Sequence, residues 1–166
     1  MTILKDKFCK SLLLLKDKPL WGMSAGNKKG CNLHFRFGAE LPEEKQIFLI
    51  NVPDAYPREY QGEYDLFIKC TWRLDSQEKV LCSNKSYFRT VCRGLNKIKG
   101  KVVRDIELHF PGYDLTLYFD KGLTFKIFCD AVNLKYGGDN YYYSVLPEDN
   151  FEIGTLSRLK LSKLSV

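Results

Sequence analysis

Histidine is scarce in this chain of 166 residues, which carries only two, His34 and His109. Neither stands at ligand spacing from a cysteine, and no Cys-x-x-Cys occurs, so the usual zinc frameworks are excluded. The signatures G-x-S-x-G, H-E-x-x-H and the EF-hand loop are missing as well. The double glycine Gly137-Gly138 lacks the strand-to-helix setting of a phosphate-binding loop. Adjacent acids such as Glu43-Glu44 or Glu148-Asp149 point in different directions on a strand or turn, so they do not share a site. The expectation is a protein with no catalytic residues, no metal and no cofactor, and not an enzyme.

Long apolar runs are also lacking. The four leucines at 12–15 lie between lysines and are far too few for a signal-peptide core. No stretch approaches the roughly 18 apolar residues of a membrane helix. A soluble, cytoplasmic protein with no membrane partner is expected. The six cysteines (Cys9, Cys31, Cys70, Cys82, Cys92 and Cys129) then read as free thiols acting as small core hydrophobes, because most sit in apolar strand patterns.

What is present suits one domain spanning residues 1–166, long enough to bury roughly two-thirds of its unfolded surface. Hydrophobic residues make up 45% and aromatics 14%, which argues against wholesale disorder. The net charge of +6 favours anionic partners only weakly. The basic residues read as spread along the chain, with no block beyond local runs such as Lys97-Ile98-Lys99-Gly100-Lys101.

The stretch 64–83, YDLFIKCTWRLDSQEKVLCS, organises the reading. Leu66, Ile68, Cys70, Trp72 and Leu74 alternate with Lys69, Thr71 and Arg73, which predicts one core strand. Asp75-Ser76-Gln77-Glu78 supplies a turn, and residues 79–82 return. Before it, residues 4–18 have helical character ended by Pro19, residues 22–30 read as loop, and residues 31–37 alternate as a strand that pairs with 46–52. The segment 53–62 reads as loop. Phe88, Val91, Cys92 and Leu95 fall on one face of a short helix ended near Gly100. Strands follow at 103–110, 114–119, 123–129, 141–145 and 156–161, with turns at 120–122 and 147–150.

The fold class is therefore α+β, a predominantly antiparallel β-sheet built from two similar β-hairpin units with one or two short helices. The segments GEYDLFIKCTWRLDSQEKVLCS and PGYDLTLYFDKGLTFKIFCD resemble each other. They suggest an internal duplication over about 21–85 and 100–161, linked by a helix at about 86–98.

Two histidines can cleave RNA by acid–base chemistry, but no nucleophile or carboxylate pattern surrounds His34 and His109. Tyrosines are the better candidates for a working surface. Tyr136, Tyr141, Tyr142 and Tyr143 flank the YGGDN loop, and at least one of three consecutive strand tyrosines must face outward. Tyr56, Arg58 and Tyr60 form a second aromatic–basic group. Tyrosine and arginine are favoured at protein interfaces, and tyrosines near lysines also stack single-stranded nucleic acid.

Three segments in this order, GCNLHFRFG at 30–38, GEYDLFIKCTWRLDS at 62–76 and YDLTLYFDKGLTFKIF at 113–128, resemble a family of small bacterial immunity proteins. These accompany contact-dependent inhibition and other polymorphic toxins. The Cys70-Thr71-Trp72-Arg73 core strand carries most of the likeness, which covers about residues 21–151. The resemblance implies stoichiometric occlusion of a cognate toxin C-terminal domain, with no catalysis; the weak, spread charge argues against a nucleic-acid partner. The alternative from the residues themselves is an RNA- or single-strand-binding module using the basic charge and surface tyrosines. The basic charge departs from the acidic character common among immunity proteins that face basic nucleases. On the immunity reading the toxin would be neutral or acidic, or the interface charge local.

Overall fold

The structure is a computed structural model that describes residues 2–25, 32–41, 62–129, 140–146 and 148–163. It opens with helix α1 (Thr2–Leu13), whose Phe8 and Leu12 are buried, as is Leu15 just beyond it. After Leu13 the chain tightens into i→i+3 bonds, Leu14 N to Ser11 O and Leu15 N to Leu12 O, and Pro19, which has no N–H, stops it.

Eleven strands follow among the described residues: β1 (Leu20–Ala25), β2 (Leu33–Glu40), β3 (Gly62–Ile68), β4 (Thr71–Asp75), β5 (Val80–Ser83), β6 (Val103–His109), β7 (Asp114–Phe119), β8 (Leu123–Phe128), β9 (Tyr141–Val145), β10 (Asp149–Ile153) and β11 (Leu159–Lys163). Helix α2 (Phe88–Leu95) lies between β5 and β6. One sheet has the order β1-β2-β3-β9-β10-β11 and the other β5-β4-β8-β7-β6. Every pairing is antiparallel. The α+β, predominantly antiparallel class expected from the sequence is the observed one.

The inner faces of the two sheets share one apolar cluster. Phe35 of β2 meets Phe125 of β8 edge-on at 4.9 Å between ring centroids, and Trp72 of β4 stacks on the same ring at 5.5 Å. Phe8 brings α1 onto this cluster through Tyr113, Tyr143 and Phe151. The sheets are also tied through the backbone. Pro19, just before β1, bridges to Val102, with Asp17 N on Val103 O at 2.8 Å and Leu20 N on Lys101 O at 2.8 Å.

The expected core strand at 66–74 is two strands. Leu66, Ile68, Cys70, Trp72 and Leu74 all point inward as predicted, yet β3 belongs to the six-stranded sheet and β4 to the five-stranded one. At the step between them the amides of Lys69 and Cys70 both donate to the carbonyl of Asn140, at 2.9 and 3.1 Å. The buried Asn140 is itself anchored by its N–H on Ile153 O and its Nδ2 on Gly154 O. The segments that resemble each other therefore run differently: 62–83 spans both sheets, whereas β7 and β8 stay in one.

Two strands lie where turn or loop was expected. β1 contains Gly22 and a register shift between Leu20 and Gly22, which breaks the alternation that would have marked it. β10 begins with Asp149-Asn150, turn formers by composition, but it is held between β9 and β11. Asp149 is satisfied by Lys7 of α1 at 2.7 Å and Lys163 of β11 at 2.6 Å. The partner strand expected at 46–52 lies outside the described residues; β2 pairs instead with β1 and β3.

Helix α2 is rotated from the expected face. Val91, Gly94 and Leu95 are buried, while Phe88 is exposed and Cys92 half-buried. Gly94 explains the rotation, because a Cβ there would collide with Cys82 Sγ of β5. The bare backbone lets the helix seat against the strand. In the turn between β7 and β8, Gly122 takes φ +69, a conformation open to glycine, and Lys121 before it is also left-handed at φ 62.

Gly94→Ala is expected to destabilise the fold by about 1–3 kcal/mol through overpacking, more than the roughly 1 kcal/mol gained in helix propensity. Urea denaturation checks this, and adding Cys82→Ala should restore part of the loss. A second expectation concerns acid. Burial raises the Asp149 pKa, but hydrogen bonds from Lys163 and Lys7 outweigh it and hold the carboxyl below its ordinary value of 3.8. That stabilisation is present above the ordinary value and is lost as pH falls through the lowered one. Urea midpoints followed downward from pH 5 should therefore fall less steeply for Asp149→Asn than for the wild type.

Candidate interaction surfaces

Strand β9 carries three of the expected site tyrosines, and its alternation separates them. Tyr141 and Tyr143 are fully buried. Tyr141 Oη donates to Tyr113 O at 3.0 Å and Tyr143 Oη to Ser11 O at 2.7 Å. Burial drives both phenols well above the usual tyrosine range. These two side chains are core groups and cannot present a contact surface in the folded protein. Tyr142 faces outward. Tyr136, Tyr56, Arg58 and Tyr60 lie outside the described residues.

Register places Tyr142 within a row that crosses the whole six-stranded sheet on its outer side: Ser24, His34, Phe67, Tyr142, Glu152 and Lys160. His34 meets Phe67 edge-on at 6.0 Å, and Phe67 lies 6.4 Å from Tyr142. Lys69 Nζ sits 4.7 Å from the Tyr142 ring centroid and donates to its hydroxyl at 3.4 Å. Beside this row, the Arg36 guanidinium is 6.0 Å from the Trp21 ring. Polar groups here are paired: His34 Nε2 lies 3.2 Å from Asp65 Oδ2, and Lys160 Nζ 2.6 Å from Glu152 Oε1. Phe67 and Tyr142 are half-buried and ringed by polar and paired groups.

The outer side of the five-stranded sheet has a different character. Asp75 takes a two-pronged contact from Arg73, with Nε at 2.9 Å and Nη2 at 3.0 Å, and Lys126 at 3.3 Å. Tyr118 Oη donates to Glu107 at 2.7 Å, and His109 lies 3.6 Å from the same carboxylate. This is a self-paired polar face. It also holds His109 on the outside of one sheet while His34 is on the outside of the other, so the structure does not bring the two histidines together. Among the described residues, no group of His, Cys, Asp and Glu is placed to hold a metal ion, and no helix is long and apolar enough to cross a membrane.

A third surface was not foreseen. Eight of the chain's 26 Lys and Arg fall between Lys79 and Arg104, a stretch with no Asp or Glu; over the rest of the chain acids outnumber bases. Bases are about twice as dense here as over the whole chain and no acid offsets them, so the signal was present in the sequence. Of these cations, Arg104 is bound to Asp17 and Asp120. Lys79, Lys85, Arg89, Arg93, Lys97 and Lys99 are exposed, and among the described residues none has a carboxylate within ion-pair reach. With them stand Tyr87, 89% exposed, and Phe88, 55% exposed.

The described cysteines are free thiols, Cys9, Cys70, Cys82, Cys92 and Cys129. Comparison with known proteins finds no matching family model, curated protein or solved structure. The functional reading therefore rests on the surfaces themselves.

Burial, with Asp75 nearby, pushes the Cys82 thiol up to about 11, which suppresses the reactive thiolate at neutral pH. Brief iodoacetamide treatment of native protein at pH 7.5, read by peptide mass spectrometry, should leave Cys82 unmodified while the half-buried Cys92 reacts.

Proposed function

We propose that this protein is an immunity protein that neutralises a cognate toxin domain by binding it one to one and covering a surface the toxin needs. The observation that carries the reading is the outer face of the six-stranded sheet. Phe67 and Tyr142 stand at its centre, with paired polar groups around them. Aromatic anchors inside a polar rim are a composition typical of protein-interface hot spots. A six-stranded sheet also offers a rigid platform, which keeps the ordering cost of association low. The resemblance of residues 30–38, 62–76 and 113–128 to immunity proteins points the same way.

The basic net charge is no obstacle to this reading. The excess is concentrated around α2, and the aromatic face carries paired polar groups, so the toxin need not be acidic where it docks. On this reading the protein resides in the cytoplasm, where it meets its toxin.

The test is recovery of a toxin C-terminal domain with tagged protein from the source cells, followed by calorimetry on the purified pair. Binding should be one to one. Phe67→Ala and Tyr142→Ala should each weaken it by about 2 kcal/mol, roughly 30-fold, while Lys126→Ala on the opposite sheet leaves it unchanged. Folding of each variant is checked by circular dichroism. Wild-type affinity in both aromatic variants would sink the assignment of this face, and failure of the protein to protect cells expressing the recovered toxin would sink the immunity reading.

A further inference from the structure

We propose that the surface built by α2 and its flanking turns binds single-stranded nucleic acid, at a site separate from the aromatic sheet face and independent of the toxin reading. Helix α2 buries Val91, Gly94 and Leu95. At 100° per residue the side diametrically opposite carries Arg89 and Arg93, one turn and about 6 Å apart along the axis. The turn that continues the helix, with Lys97 N on Gly94 O, sets Lys97 a further turn along. Lys85 precedes the helix and Lys99 follows it, both exposed.

Cations spaced four apart on a helix repel one another and cost a few tenths of a kcal/mol per pair. Elsewhere Lys7, Lys16, Lys18, Arg73, Arg104, Lys126, Lys160 and Lys163 each have a carboxylate within 4 Å. Around α2 no acid relieves the repulsion among the described residues, and the first turn holds neither an acid nor a side-chain cap. A ligand that supplies several negative charges in a line does relieve it.

Lysine predominates on this surface. It is depleted at protein interfaces but serves readily against phosphates, so a nucleic-acid backbone fits better than an acidic protein. Tyr87 and Phe88 select the form of the polymer. Both are exposed at the start of the helix, where an aromatic face stacks only on a base that is free of its own neighbours, as in a single strand. No sequence preference follows from stacking and charge alone.

The experiment is fluorescence anisotropy of the full chain with a 5′-labelled 20-nucleotide poly(U) RNA. With about four phosphates contacted, affinity should fall about 50-fold between 50 and 200 mM NaCl. Arg89→Glu with Arg93→Glu should weaken binding by tenfold or more and flatten the salt dependence. A charge-matched control, Lys10→Glu with Lys121→Glu, should change it far less. Tyr87→Ala, outside the helix and so harmless to folding, should weaken binding about fivefold with the salt slope unaltered. The proposal is overturned if RNA shows no salt-sensitive binding with tens of micromolar protein, or if the control variant loses as much as the α2 variant. A 20-base-pair duplex bound as tightly would also overturn it, by removing the role of the aromatics. If RNA binding is absent and the α2 variant instead loses capture of the toxin domain, the surface belongs to the protein partner.

Discussion

A strand that leaves one sheet for another uncovers backbone amides, and in a core those amides must find acceptors. Here the transfer happens at Lys69-Cys70, and the carbonyl of Asn140 takes both N–H groups. Asn140 can do this because its own amide and side chain are bound to Ile153 and Gly154, at the far end of the neighbouring strand β10. The two sheets are thus fixed relative to each other by a contact between residues some seventy positions apart. The aromatic stack of Trp72, Phe125 and Phe35 then fills the space that this junction and the Pro19–Val102 bridge define.

That junction also decides what the outside of the molecule offers. Because β3 stays with β2 and β9, its outward Phe67 lies between His34 and Tyr142, and an aromatic row forms on one sheet. Because β4 goes to β8, its outward Arg73 meets Asp75 and Lys126, and the other sheet acquires a self-paired polar face. Helix α2 sits at the edge of the second sheet, drawn in by Gly94, and turns its arginines to solvent. An aromatic face, a self-paired polar face and an exposed cationic surface therefore fall on three separate parts of a small fold.

Much of this architecture was legible from residue patterns. The β7–β8 hairpin, the inward set from Leu66 to Leu74 and the position of α2 all follow from period and turn chemistry. β1 and β10 did not, since a bulge masks the first and turn-forming Asp149-Asn150 the second; neighbouring strands and the lysines on Asp149 override those local preferences. The tyrosine cluster was half legible. Alternation requires that consecutive tyrosines part company, but which of them faces the core depends on which side of the sheet is covered. The cationic surface at α2 was visible in principle, through the dense bases and missing acids of residues 79–104.

The sequence by itself determined the strand period, the turns and the set of side chains that share a face, because these are properties of a few consecutive φ/ψ angles and of hydrophobic alternation. Only the tertiary structure decided which sheet each strand joins, that Tyr141 and Tyr143 are core while Tyr142 is surface, and that His34 and His109 lie on different faces. Those outcomes depend on hydrogen bonds and packing between segments far apart in the chain, and no local pattern encodes which distant carbonyl will accept a given amide.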